Sequence, residues 1–371
     1  ALSFYKINKL FCAYNIFSRN TAFGRGGAIS INIVTLSTVS SSLHDGNSTD
    51  LYATRIFKKV ANQTPNDHKS KATIIYRTIF TENVASSQSP GGAVYIINTR
   101  NVKGASGNLT TMSVDKHQVI LMEETKFVLN YASTAGGAIH IEEISKCFIV
   151  NSSFIQNSVD AYIGTGYGGA ISFYSGTILN VHRARFINNS ASVIGGAIYI
   201  GKISECSLIN SSFEQNVGNE GGGALYFHSG TVINVHTVRF IQNAAKSPGG
   251  AINLEQVNKC SIMNSSFIQN RAFAGGGGGG GGIYFNYGAI ISIHKVKFIK
   301  NFAMMLYDAG GAIHLRQVSR CSVMNSVFRQ NIAYTKGGGI YLTNGKTLSI
   351  HRVKLIYNNV HFLSRGIGIY N

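Results

Sequence analysis

Two tetrapeptides alternate along this chain, and their near-constant spacing restricts its fold more than any other property. Gly-Gly-Ala-Ile or a close variant begins at Gly26, Gly91, Gly136, Gly168, Gly195, Gly222, Gly249 and Gly310, with degenerate copies at Gly281 and Gly337. Phe-x-x-Asn stands at Phe17, Phe80, Phe127, Phe154, Phe186, Phe213, Phe240, Phe267, Phe298 and Phe328, and Leu355 with Asn358 supplies a weakened last copy. Successive phenylalanines from Phe186 to Phe267 are 27 residues apart, and the following intervals are 31, 30 and 27. The earlier intervals are 63, 47, 27 and 32. A fixed period with length variation confined to loops signals one structural unit stacked on copies of itself.

Aligning the copies on Phe produces columns. Seven residues before it stand Cys147, Leu179, Cys206, Ile233, Cys260, Ile291, Cys321 and Leu348. Five before it every residue is Ile, Val or Leu, from Ile149 to Ile350. Apolar residues two apart and flanked by polar ones read as half-buried strands, and β-branched and aromatic enrichment favours strand over helix. A unit of about 27 residues is too short for a propeller blade and lacks the period of a helical repeat. The expected fold is all-β, a single-stranded right-handed parallel β-helix (a β-solenoid) of about 11 rungs. At ~4.8 Å per rung this is a rod on the order of 50 Å long.

In such stacking, the Asn column becomes a ladder: Asn157, Asn189, Asn216, Asn243, Asn270, Asn301, Asn331 and Asn358 can each hydrogen-bond the amide above and below. The glycine pairs suit sharp corners that need positive φ. One β-helix segment is expected over residues 1–371, with polar loop insertions near 31–73 and 98–118 and regular rungs over about 120–371. The Gly275–Gly282 run lengthens one turn. Because the final residues stop inside a rung, the chain is expected to be part of a longer one.

The alternating motifs resemble those of the chlamydial polymorphic outer-membrane proteins, whose passenger domains are β-helices built on Gly-Gly-Ala-(Ile/Leu/Val) and Phe-x-x-Asn repeats. The resemblance covers about residues 17–369. It implies an extracellular or cell-surface location and a role in adhesion, on the pectin-lyase-like superfold.

Composition narrows the function classes. Hydrophobic residues make up 44% and charged residues only 13%, which excludes intrinsic disorder. No apolar run of 18 residues occurs, so no membrane-spanning helix is expected. The four repeat cysteines lie two rungs apart, ~9.6 Å, too far for a disulfide, and no disulfide is expected. The same spacing keeps His182, His236, His294 and His351 from sharing a metal, so neither metal nor cofactor is expected. Catalysis on a β-helix needs carboxylates gathered on adjacent rungs, and the chain holds only 15 acidic residues. Glu142, Glu143 and Glu255 share a neighbourhood on the strand after Gly-Gly-Ala-Ile, but four rungs separate the first pair from the last. No catalytic residues are therefore assigned. The alternative is a pectin-lyase-like carbohydrate-active enzyme, a polysaccharide lyase or glycoside hydrolase, which three carboxylates in one cleft would favour.

Two columns are candidates for binding. Arg185, Arg239, Lys297 and Lys354 directly precede the motif phenylalanine or its Leu355 replacement, and Arg183, Lys295 and Arg352 stand three residues before it. With the net charge of +18, two rows of cations repeating every ~9.6 Å would meet a linear polyanion in register. The competing reading is a solvated face. Tyr199, Tyr226, Tyr284 and Tyr341 follow the repeat Ile or Leu and are expected to point outward, as a contact column for sugars or protein or simply as good strand residues. The expected function is a non-catalytic cell-surface adhesin or scaffold. Its partner would be a host or neighbouring cell-surface protein or an acidic polysaccharide. Nucleic acid is disfavoured because no aromatic platform interleaves with the cations.

Overall fold

A computed structural model describes residues 2–5, 9–34, 71–86, 88–99, 118–161, 165–273, 278–304, 309–361 and 369–370. They form a parallel β-solenoid without helix among the described residues. Each regular rung passes through a broad sheet, a short strand centred on the motif Phe, and a narrow two- or three-residue strand. Like strands stack in parallel into sheets of 17, 11 and 11 strands. The 11 stacked Phe strands correspond to about ten turns, close to the expected 11 rungs.

Register explains how rungs of unequal length coexist. Phe17 pairs with Phe80 and Phe80 with Phe127, as directly as Phe186 pairs with Phe213. The strands Ile29–Val34, Lys71–Tyr76, Val94–Thr99 and Gln118–Glu123 flank the long intervals. They claim residues from the ends of the expected loops, and beside them Ile75 joins the main interior while Ile74 packs into a smaller cluster with Tyr76 and Leu121. Residues 35–70 and 100–117, with the glycosylation-type sequons at Asn47, Asn62 and Asn108, lie outside the described residues.

Two corners bracket each Phe strand. Around Ser153–Ile155 they are Asn151 (φ 49°) and Gln156 (φ 54°), and equivalent residues in other rungs share this left-handed conformation. Such φ values are costly for residues with a Cβ, and Asn bears them best. The corner before the strand also displaces the next N–H from the regular ladder. On alternate rungs a Ser repairs this. The Ser211 hydroxyl accepts the Ala184 N–H at 3.1 Å and donates to the Ile209 carbonyl at 2.8 Å; Ser265 and Ser326 likewise accept from Val238 and Val296.

The third corner needs glycine. Gly195 has φ 68°, and a Cβ on Gly196 would lie 2.1 Å from the Gly223 carbonyl oxygen of the next rung. A side chain there would push adjacent rungs apart.

Two ladders fill the interior. Phe rings stack face to face, with centroids 4.6 Å apart for Phe186–Phe213 and 5.1 Å for Phe213–Phe240, matching the ~4.8 Å strand spacing. Beside them each Asn amide spans three rungs. Asn243 Oδ1 accepts both the backbone N–H and the side-chain amide of Asn216, at 3.0 and 2.9 Å. Its own Nδ2 donates to the Phe213 carbonyl at 2.9 Å and to Asn270 Oδ1 at 2.9 Å. Every hydrogen-bonding capacity of a fully buried amide is thereby used.

Rungs also alternate in size. Phe173, Phe227 and Phe285 are followed three residues later by Gly176, Gly230 and Gly288, whereas Ile200, Leu254 and Leu315 are followed by Ile203, Val257 and Val318. A Cβ on Gly176 would lie 2.4 Å from the Phe173 ring, so the larger side chain demands the smaller neighbour. The structural repeat is a pair of unlike rungs. In the broad sheet these rungs run as single 12-residue strands, such as Ile198–Ile209.

Candidate functional site

The cation rows occupy the corner before the Phe strand and the start of that strand. Arg183, Lys295 and Arg352 have φ values of 52°, 53° and 52°, placing them at the left-handed corner itself. Arg185, Arg239, Lys297 and Lys354 open the adjacent strand with their side chains outward, while the residue between the rows points in, as Ala184 does. All seven are exposed. Register sets Arg185 beside Ser212, Ser212 beside Arg239, Arg239 beside Ser266 and Ser266 beside Lys297, so a neutral rung separates each charged pair. Among the described residues, none of the seven pairs with a carboxylate. Lys126 belongs to the same row, beside Ser153, and is exposed. The row therefore begins two rungs before Arg185, a member that the Phe alignment could have included.

The tyrosine column departs from the sequence reading. Tyr199, Tyr226, Tyr284 and Tyr341 are only 8, 8, 6 and 6% exposed. The segment between the narrow strand and the Gly-Gly corner rises beside them, and its Val193, Ile194 and Pro248 form one wall of a groove of about 510 Å³ into which Tyr226 and Tyr284 face. Strand alternation alone cannot show this, because the wall belongs to another part of the rung.

Polar groups gather in this groove. The Tyr226 hydroxyl donates to Glu255 Oε1, and His228 Nδ1 lies 2.8 Å from Glu255 Oε2. Burial, reinforced by the Glu255 carboxylate, holds the Tyr226 phenol well above its ordinary range, and burial pushes Tyr199 up to about 12. Both stay protonated at neutral pH. Among the described residues, Glu220 also lines the groove. Glu142 lies elsewhere, 2.7 Å from His140, which holds its carboxyl below the usual range.

Residues 184–201 and 325–343 match the Chlamydia polymorphic membrane protein (Chlamydia_PMP) repeat. Each stretch runs from a motif Phe strand, through the Asn ladder and the glycine corner, into the broad sheet. Such segments stack here as a parallel solenoid. Over these two stretches the chain is similar to that repeat. No curated protein and no solved structure matches the chain.

In this rod, Cys147, Cys206, Cys260 and Cys321 face the interior, each separated from the next by a buried Leu or Ile. Burial raises every one of these thiols, Cys147, Cys260 and Cys321 to about 12, which makes them inert core side chains at neutral pH. The corner histidines pair with amides of the next rung: His236 Nε2 lies 3.0 Å from Asn264 Nδ2, and His182 Nε2 lies 3.4 Å from Asn210 Nδ2. No cluster of three or more metal-ligating side chains forms among the described residues.

Proposed function

We propose that this β-helix is a non-catalytic surface adhesin or scaffold that binds an anionic glycan along its cation rows. The observation that carries the reading is the pair of exposed rows: Arg185, Arg239, Lys297 and Lys354 repeat every second rung, and Arg183, Lys295 and Arg352 stand beside them with Thr237 in place of a cation next to Arg239, all seven cations without carboxylate partners among the described residues. Three features support it. The spacing of ~9.6 Å is close to the screening length at physiological salt, so neighbouring cations add their fields along one line. Their rigid corner limits the entropy lost on binding. The repeat similarity is to a membrane protein of Chlamydia, which accords with display at a cell surface.

The test is an array of sulfated and uronic-acid glycans probed with the purified chain at low and high salt. Retained binders should weaken steeply as salt rises. Replacing Arg185, Arg239 and Lys297 together by Ser, the residue found in the intervening rungs, should abolish binding without altering the fold. Absent binding, or binding indifferent to salt and to this variant, would overturn the proposal.

A further inference from the structure

The walled groove lies across the broad sheet from the cation rows, and its chemistry is different. Its floor carries Tyr226, Asn253 and Tyr284, and its outer edge carries Glu255, Asn286 and Arg316. Asn253 is 4% exposed, yet its carbonyl oxygen has no hydrogen-bond partner, and the buried carbonyl oxygen of Asn286 is also unpaired. Leaving such acceptors unmet costs about 1–3 kcal/mol each. The buried amides of the Asn ladder have every such need met, and although single buried atoms of Tyr95, Ser172 and His294 are also unpaired elsewhere, only the two Asn oxygens meet in this groove. Unpaired acceptors converging on a concave site point to a ligand that supplies donors.

The neighbours restrict that ligand further. A sulfate or carboxylate would meet Arg316 but be repelled by Glu255 and gain nothing from the two carbonyl oxygens. An ammonium group would satisfy those acceptors but oppose Arg316. A sugar hydroxyl both donates and accepts, so one class of group can serve Asn253, Asn286, Glu255 and Arg316 together. Tyrosine surface beneath it offers contact to the apolar C–H face of a pyranose ring. A volume of about 510 Å³ is in the range of small-ligand sites.

We infer that this groove is a binding site for an uncharged oligosaccharide, separate from the polyanion face. The experiment is an array of uncharged glycans ending in hexose or N-acetylhexosamine, probed at ~0.15 M and ~0.5 M salt, followed by titration calorimetry on any hit. Support is a hit whose affinity is unchanged by salt, falls at least tenfold in both Asn286→Ala and Arg316→Gln, and survives the Arg185/Arg239/Lys297→Ser variant. Arg316 is exposed, so its replacement tests the site even where Asn286→Ala unfolds. No uncharged hit, or a hit indifferent to both groove substitutions, overturns the inference. Binding confined to acidic glycans and lost in the Ser variant also overturns it, while leaving the polyanion reading intact.

Discussion

The same corner is treated differently in the early and later rungs. Near the beginning of the described chain its charges are neutralised between neighbours: Arg77 Nε meets Glu124 at 2.5 Å, one rung apart in the column that later holds Arg183, Lys295 and Arg352. At the second corner Arg19 meets Glu82 at 2.8 Å. From Arg183 onward the carboxylates are gone, and Asn210, Thr237, Asn264 and Asn325 fill the intervening positions. Yet Tyr14, Arg77, Glu124, Asn151, Arg183 and Thr237 all hold that corner at φ between 43° and 57°. The backbone does not require a cation there. It is set by what lies beneath, and the surface residue is free to vary, which separates the charge pattern from the needs of folding.

This contrast can be broken in four ways. Truncating a ring of the Phe ladder should have the largest effect: Phe127→Ala and Phe240→Ala should each lose about 3–5 kcal/mol by denaturant titration, because both rings are wholly buried. A large disparity between them would show that the two regions differ in their cores and not only in their surfaces. Removing an amide from the ladder should follow. Asn130→Ala and Asn243→Ala each leave the preceding Asn and a Phe carbonyl without partners, with a loss of about 3 kcal/mol expected in either region.

The corners themselves should respond unequally. Arg77→Ser removes the partner of Glu124, so its melting temperature should fall at low salt and recover at high salt. The Arg185/Arg239/Lys297→Ser variant should stay within about 0.5 kcal/mol of the parent at either salt. A comparable loss in that variant would mean that the cations serve the fold. The smallest effect concerns acid. His140 holds Glu142 below its ordinary value of 4.5. This contribution is present at neutral pH and is lost as pH falls through the depressed value. Glu142→Gln should therefore narrow the difference between melting temperatures at neutral and strongly acidic pH, and an unchanged difference would remove the pair from the acid response.

Much of this was legible in the primary structure because a solenoid reports its geometry in its period. Once Phe186, Phe213 and Phe240 are aligned, the pairing of Cys206 with Leu179 and Ile233 follows from counting, and so do the cation rows. The burial of the tyrosines was not legible. Alternation along Ile198–Ile209 assigns Tyr199 to the outer face of its strand, but the wall covering that face comes from residues that follow the narrow strand and vary in length and composition.

Repetition by itself determined the parallel stacking and the side-chain columns, because identical units placed in register must repeat their contacts. The groove was decided only by the tertiary structure. Its unpaired amides, its Tyr–Glu–His contacts and its flanking Arg316 lie on different rungs and on two segments of each rung, and their approach depends on how a variable turn folds back over the sheet. Local side-chain pattern carries no information about such a fold-back, since the forces that place it act between residues distant in sequence.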